Sequence, residues 1–265
     1  MVAGPPETPV SIPDAVEGLI RGRPYQVVWL NALGGLTIKI EDPPNSEYLK
    51  WLPVASGSSI AQEIERVRWA SRYTPVPHVL SHGSDEEGSW MVTAAIEADN
   101  AVSQRWKLNP QRASAAAGAG LRAFHDALPP ESCPYEWSAG RRLGEIERCV
   151  AEGYLEHHEW SEHFSDLTLR TAMDELREIP DEDLVVCHGD ACAPNTLIDQ
   201  RGEWAAHVDL GNLGLGDRWA DLAVLSWSTV WNYGEGWESN IYATYGIEPN
   251  LEKIRYYRLL WELEE

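Results

Sequence analysis

Cysteine is scarce in this chain of 265 residues: there are four, Cys133, Cys149, Cys187 and Cys192, with no CxxC and no paired spacing. That spacing suggests no disulfide framework, so free thiols in a reducing cytoplasm are expected. Basic residues are few as well. Lys and Arg number 21 against 42 Asp and Glu, a formal charge of −21. Such a surface repels phosphate backbones and anionic membranes, which disfavours nucleic-acid and membrane partners. No stretch approaches the roughly 18 consecutive apolar residues of a membrane span. The opening, MVAGPPETPVSIPDAV, has prolines where a signal peptide needs an unbroken apolar region, and it has no basic start. A cytoplasmic location is therefore expected. Phe is rare too, with two against thirteen Trp, and composition gives no reason for that beyond packing.

With 43% apolar and 24% charged residues and no low-complexity tract, the chain can bury a sizeable core as one large domain or two lobes. The acidic excess would attract a cationic ligand, or serve only as a solvated surface.

Residues 25–52 read as strand-rich: YQVVWL and LTIKI flank Asn31-Ala32-Leu33-Gly34-Gly35, and EDPPNS turns the chain into EYLKW. A helix follows, with Ser59 and Gln62 as a capping box and Ile60, Ile64 and Val67 as its apolar stripe. Glu63 lies within that stripe, where a carboxylate is costly unless a cation meets it. A second strand region, SWMVTAAI at 89–96, leads into EADN, a plausible lobe boundary. Asn109-Pro110 then opens a helix with Ala113, Ala117, Gly120, Leu121 and Phe124 on a small-residue face. Residues 141–178 are charged and helical in character, IDQRGEWAAHVDL reads as a β-hairpin, and helices run from Asp217 to about Trp231 and from Asn250 onward. A β-rich lobe, residues 1–98, before a larger helical lobe, residues 99–265, is an α+β arrangement.

The chemistry concentrates in LVVCHGDACAPNTLID, residues 184–199, and in Val208-Asp209-Leu210-Gly211. An Asp followed five residues later by an Asn, then a second Asp, each at the end of an apolar run, is similar to the catalytic loop and metal-binding element of protein kinases. Phosphoryl transfer needs a group to orient the attacking hydroxyl, metal ligands, a cation on the phosphates and a loop over them. Oxygen donors of this kind suit Mg²⁺. Lys39 and Lys50 both lie in strand-like segments and either could reach phosphates, but Lys50 also gives Glu63 a partner.

HGDACAPNTLID, VDLGNLGLGDRWADLAV and YGIEPNLEKIRYYRLLWELEE resemble the aminoglycoside phosphotransferases, especially the 3′-phosphotransferases and the streptomycin 3″-kinases. Cys133-Pro134-Tyr135 and Phe124-His125 are also similar to family signatures. The resemblance implies a two-lobed protein-kinase-like fold, ATP as donor and a cationic aminoglycoside as acceptor. It makes Asp190 the catalytic base, Asn195 and Asp209 the Mg²⁺ ligands, and Lys50, held by Glu63, the phosphate-binding cation. The backbone around Ala94, Ala95 and Ile96 would meet adenine. Asp221 would brace the catalytic loop and His188 would order it. Acceptor contacts fall to Glu159 and Glu162 in the insert EHHEWSEH, residues 156–163, and to Glu262, joined by the terminal carboxylate. The spacing of His157, His158 and His163 gives no pair at i, i+4, which argues against a metal site there.

Three positions depart from the family pattern. The loop NALGGL lacks its usual serine, Asn212 stands where Arg is usual, and Trp261 stands where the 3′-phosphotransferases usually have Asp. Trp261 is either a substrate-facing surface or core filler. A kinase of another hydroxylated cation, or a non-catalytic ligand binder of kinase-like fold, are the alternative functions.

Overall fold

The computed structural model describes residues 4, 6, 8–56 and 60–264. Two compact units result, Met1–Glu97 and Ala98–Glu265.

The first unit is built on an antiparallel five-stranded sheet of β1 (Tyr25–Leu30), β2 (Leu36–Ile40), β3 (Glu47–Pro53), β4 (Val79–Ser84) and β5 (Gly88–Ala94), in the order β1-β2-β3-β5-β4. LTIKI alternates because every second residue is buried: Leu36, Ile38 and Ile40 point to one face with Leu49, Trp51 and Val92. That face is closed by Val16 and Ile20 of a short helix, α1 (Asp14–Ile20). The opposite face carries Lys50, paired across the strands with Thr37 and Met91. It is covered by Ile60 and Ile64 of α2 (Ile60–Ala70), which pack on Leu52 and Met91. Ser59, half of the expected capping box, lies outside the described residues. Neither α1 nor β4 was expected from the sequence. Prolines surround α1, and β4 is a largely exposed edge strand with no apolar alternation to read.

In the second unit, β6 (Asp99–Asn100) and α3 (Gln104–Lys107) precede α4 (Pro110–Ala127). The small-residue face of α4 permits close approach, since a Cβ on Gly118 would lie 2.6 Å from the Ile241 carbonyl oxygen and one on Gly120 would lie 2.3 Å from the Trp204 ring. Next come α5 (Ala139–Ala151), α6 (Leu169–Leu176) and β7 (Leu184–Cys187). The hairpin of β8 (Thr196–Ile198) and β9 (Trp204–His207) is turned by Asp199 Oδ1, which accepts from the Arg201 and Glu203 N–H groups. After β10 (Gly214–Asp217) the chain is helical again: α7 (Arg218–Tyr233), α8 (Glu238–Tyr245) and α9 (Leu251–Glu262). The starts of α7 and α9 follow their caps, with Asp217 accepting from the Trp219 N–H and Asn250 from the Lys253 N–H. Phe164, Leu222, Leu225, Leu259 and Leu260 form the centre of the core.

The expectation of a helical 141–178 holds for α5 and α6 and fails between them. The first helix stops at Ala151, and Gly153, at φ 82°, turns the chain out of it. Residues 156–163 form turns and loop, with one 3₁₀ turn at Glu162–Phe164. No helix among the described residues is long and apolar enough to cross a membrane.

Candidate active site

Strand β7 delivers His188, Gly189 and Asp190 to a loop whose backbone is anchored from below by one carboxylate. Asp221, in the first turn of α7, accepts from the His188 N–H at 2.6 Å and the Gly189 N–H at 2.9 Å. It also accepts from His125 Nε2 at 3.0 Å, while His125 Nδ1 lies 2.8 Å from the Tyr245 hydroxyl. Gly189 is required here: its φ is 87°, and a Cβ would lie 2.4 Å from the Asn212 carbonyl oxygen. The His188 ring has both nitrogens occupied. Its Nε2–H donates to the Val208 carbonyl at 2.9 Å and its Nδ1 accepts from the Asp190 N–H at 3.2 Å. The ring thereby ties the Asp190 loop to the segment bearing Asp209.

Asp190 is half-buried, and Asn195 Nδ2 donates both to its carbonyl at 3.0 Å and to its Oδ2 at 2.9 Å. Asn195 in turn accepts on its own carbonyl from the Val208 N–H at 3.0 Å, so β8 and the Asp209 segment are stitched together. Burial pushes the Asp190 carboxyl above the usual range, and the charge of Asp209 adds to the rise. The Cys192 thiol and Asn195 amide, as donors, oppose it. Asp209 is exposed and sits in left-handed backbone at φ 62°. Asp tolerates that region better than most residues, and such conformations gather at functional sites.

The residues present fit a Mg²⁺ ion. With its amide nitrogen spent on Asp190, Asn195 keeps its side-chain oxygen as a hard donor, and the exposed Asp209 carboxylate supplies charge. Among the described residues no group of three or more His, Cys, Asp or Glu could hold a metal, so an ion here would need further ligands from outside these side chains.

Asp221 also has a thermodynamic consequence. Burial works to raise its carboxyl, but the hydrogen bonds and charge of His125, with the His188 N–H, hold it below the ordinary value. A carboxyl with a depressed folded pKa contributes stability above the unfolded value of about 3.9, and loses it as pH falls through the folded value. Asp221→Asn should therefore cost about 3–5 kcal/mol near neutrality, as for a buried pair deprived of one partner. The deficit should shrink on acidification below about pH 4. Denaturant unfolding of both proteins across that range checks it, and equal stability at pH 7 would refute the anchoring role.

In the first unit Lys50 Nζ lies 2.8 Å from Glu63 Oε2, with Glu63 buried, so the misplaced carboxylate does have its cation. Lys39 shares that sheet face and is half-buried, two positions from Thr37, the partner of Lys50. The NALGGL loop is closed on Asn31, whose Oδ1 accepts from the Leu33 and Gly35 N–H groups and whose carbonyl accepts from Gly34. Three donors that could have met a phosphate are thus spent within the loop. At 94–96 the Ala94 N–H donates to the His78 carbonyl and the Ala95 N–H to the Ser46 carbonyl, so both of these N–H groups are already engaged.

The three acceptor-side acids are not alike. Glu159 and Glu162 are exposed on the 156–163 loop. Glu262 is buried, and its Oε1 accepts from the Ser161 N–H at 2.6 Å and lies 3.6 Å from His158 Nε2. It therefore fixes the loop that presents the other two. Glu264 is taken by the fully buried Arg142, and residue 265, with the terminal carboxylate, lies outside the described residues. Sequence reasoning missed Trp231, which stacks on Trp261 with centroids 5.3 Å apart. Thirty positions separate them, and no local pattern could have paired them.

A model of a phosphotransferase enzyme family matches residues 50–257. The chain is 33% identical over 235 residues to an aminoglycoside 3′-phosphotransferase of Streptomyces fradiae, covering 83% of this chain and 87% of that one. It is 30% identical over 234 residues to a streptomycin 3″-kinase of Streptomyces griseus, covering 80% and 82%. Among solved structures it is similar to an aminoglycoside 3′-phosphotransferase of type VIII, with a TM-score of 0.80 and 30% identity over 94% of this chain and 96% of that chain. An aminoglycoside phosphotransferase from Streptomyces rimosus in complex with ADP and streptomycin gives a TM-score of 0.69 at 26% identity, covering 91% and 92%.

Proposed function

From the premise that this chain belongs to the phosphotransferase enzyme family, with its two-lobed, protein-kinase-like α+β fold, we propose that it phosphorylates a hydroxyl of an aminoglycoside, with ATP as donor and Mg²⁺ as cofactor. Family membership makes it an enzyme of phosphoryl transfer to an alcohol group. The observation that carries the finer reading is the Asp190–Asn195 pair. One Asn amide holds the Asp190 carboxylate by its nitrogen at 2.9 Å while keeping an oxygen for a metal.

In this reading Asp190 orients the substrate hydroxyl and accepts its proton as the oxygen bonds to the γ-phosphorus. The bond from that phosphorus to the β–γ bridging oxygen breaks, and ADP leaves with the electron pair. Asn195 and Asp209 would hold Mg²⁺, which when bound neutralises charge on the phosphate oxygens. Lys50, kept in place by Glu63, would meet the α- and β-phosphates, and the Ile96 N–H and neighbouring carbonyls would meet adenine. With the loop donors closed on Asn31, phosphate binding rests the more on Lys50. Glu159 and Glu162 would attract the cationic acceptor, with Glu262 acting through the loop it anchors.

ADP release with ATP, Mg²⁺ and a panel of aminoglycosides tests this, with ³¹P NMR on the product. A new phosphate monoester formed only with Mg²⁺ present is expected. No ADP release with any aminoglycoside would sink the proposal, and release with an unrelated hydroxylated cation would keep the chemistry and move the substrate class.

A further inference from the structure

Three indoles stand at the acceptor corner of the second unit and play no part in the chemistry above. Trp227 and Trp231 are one turn apart on α7, and Trp261 lies on α9 beside Glu262. Trp231 and Trp261 are stacked at 29°, and Trp227 closes the triangle at 4.8 Å from Trp231 and 5.9 Å from Trp261. The loop of Glu159 and Glu162 touches this group directly. The His163 ring lies 5.7 Å from Trp227, and Ser161 is bonded to Glu262. Trp227 is buried, whereas Trp231 is 49% exposed. Packing explains the first and leaves half of the second to solvent.

The cluster also contains an example of what such a surface binds. The Arg258 guanidinium sits over the Trp227 ring at 5.6 Å, and Glu238 accepts from its edge at 2.7 Å. A planar, weakly hydrated cation has its face on an indole and its N–H edge on a carboxylate. Trp231 is joined through Trp227 and Trp261 to the loop that carries the exposed Glu159 and Glu162, so one cluster holds an open indole face and carboxylates for a molecule from outside. A compact, strongly hydrated ammonium gains less, because an indole face cannot accept its hydrogen bonds.

We propose that Trp231, backed by Trp261, is a specificity-determining wall for guanidinium, so that the preferred acceptor is an aminoglycoside bearing guanidino groups and not one bearing only ammonium groups. This rests on the aminoglycoside reading of the site and sharpens it.

Calorimetry on the full chain tests the wall without turnover. Streptomycin, which carries guanidino groups, and kanamycin, which carries only amines, are titrated into the wild type, Trp231→Ala and Trp231→Phe, and thermal unfolding is followed for each. The wild type should bind streptomycin more tightly than kanamycin. Trp231→Ala should weaken streptomycin roughly 2- to 30-fold, the range of one cation–aromatic contact, and leave kanamycin within about twofold, while Trp231→Phe should retain most of the binding. Equal or tighter kanamycin binding by the wild type would overturn the proposal, as would equal loss of both ligands or loss of neither in a folded variant. If Trp231→Ala does not fold, the Phe variant decides: loss of streptomycin and kanamycin affinity by the same factor would point to packing alone and overturn the wall, whereas a small loss confined to streptomycin supports it. Turnover is read separately. Streptomycin bound but never phosphorylated leaves the wall standing and counts against the proposed reaction; kanamycin phosphorylated with unaltered affinity in Trp231→Ala and no streptomycin preference does the reverse.

Discussion

Asp190→Asn should lower turnover by about 10²–10⁴, the usual worth of a positioned base, and leave ATP affinity nearly unchanged. The substitution is almost isosteric. An amide at this position can still accept from Asn195 Nδ2 through its oxygen, and the second bond, to the Asp190 backbone carbonyl at 3.0 Å, does not involve the side chain. The loop is also held independently, by Asp221 on the His188 and Gly189 N–H groups. What the amide cannot do is take a proton. The loss should therefore appear in kcat, with KM for ATP and the unfolding midpoint little changed. A variant that keeps near wild-type kcat removes Asp190 from the mechanism.

Asp209→Ala should abolish measurable turnover and weaken Mg²⁺-dependent nucleotide binding, since a metal's stabilisation of transition-state charge is worth several kcal/mol, on the order of 10³ or more in rate. One confounding effect is built into the position. At φ 62° an alanine would strain the backbone by about 1–2 kcal/mol, whereas Asn visits this region readily. Asp209→Asn therefore removes the charge and keeps the conformation. Both variants should lose Mg·ATP affinity by calorimetry, and the Asn variant should keep its thermal stability. Unaltered Mg·ATP binding in Asp209→Asn would dismiss the metal-ligand assignment. Lys50→Ala offers a contrast, since it should chiefly raise KM for ATP while leaving Glu63 buried without its cation.

Where identity of residue is dictated by chemistry, the family and its reaction class were readable from the sequence. The spacing of Asp190, Asn195 and Asp209 is local, the order of the two segments is preserved in the chain, and few reactions require an acid, an amide and an acid at strand ends. Glu63 was legible for a different reason: a carboxylate in an apolar helical stripe must find a cation, and of the two strand lysines, Lys39 and Lys50, it is Lys50 that meets it. Asp217 and Asn250 announced α7 and α9 because a cap acts over two or three residues.

The misses share a physical cause. Helix α1 exists only because Val16 and Ile20 have a sheet face to cover, and β4 only because β5 offers it backbone partners. The acidic insert could be read as helix or loop, and it is loop, pinned from 101 positions away by Glu262. Whether NALGGL presents its donors or spends them on Asn31 depends on side-chain geometry that no motif encodes. The stacking of Trp231 on Trp261 is likewise invisible until α7 and α9 pack together. The sequence by itself determined which groups are candidates for the reaction, because short-range spacing carries chemistry. Tertiary structure alone decided what surrounds them, because charge, exposure and stacking belong to pairs of residues that meet only when the chain has folded.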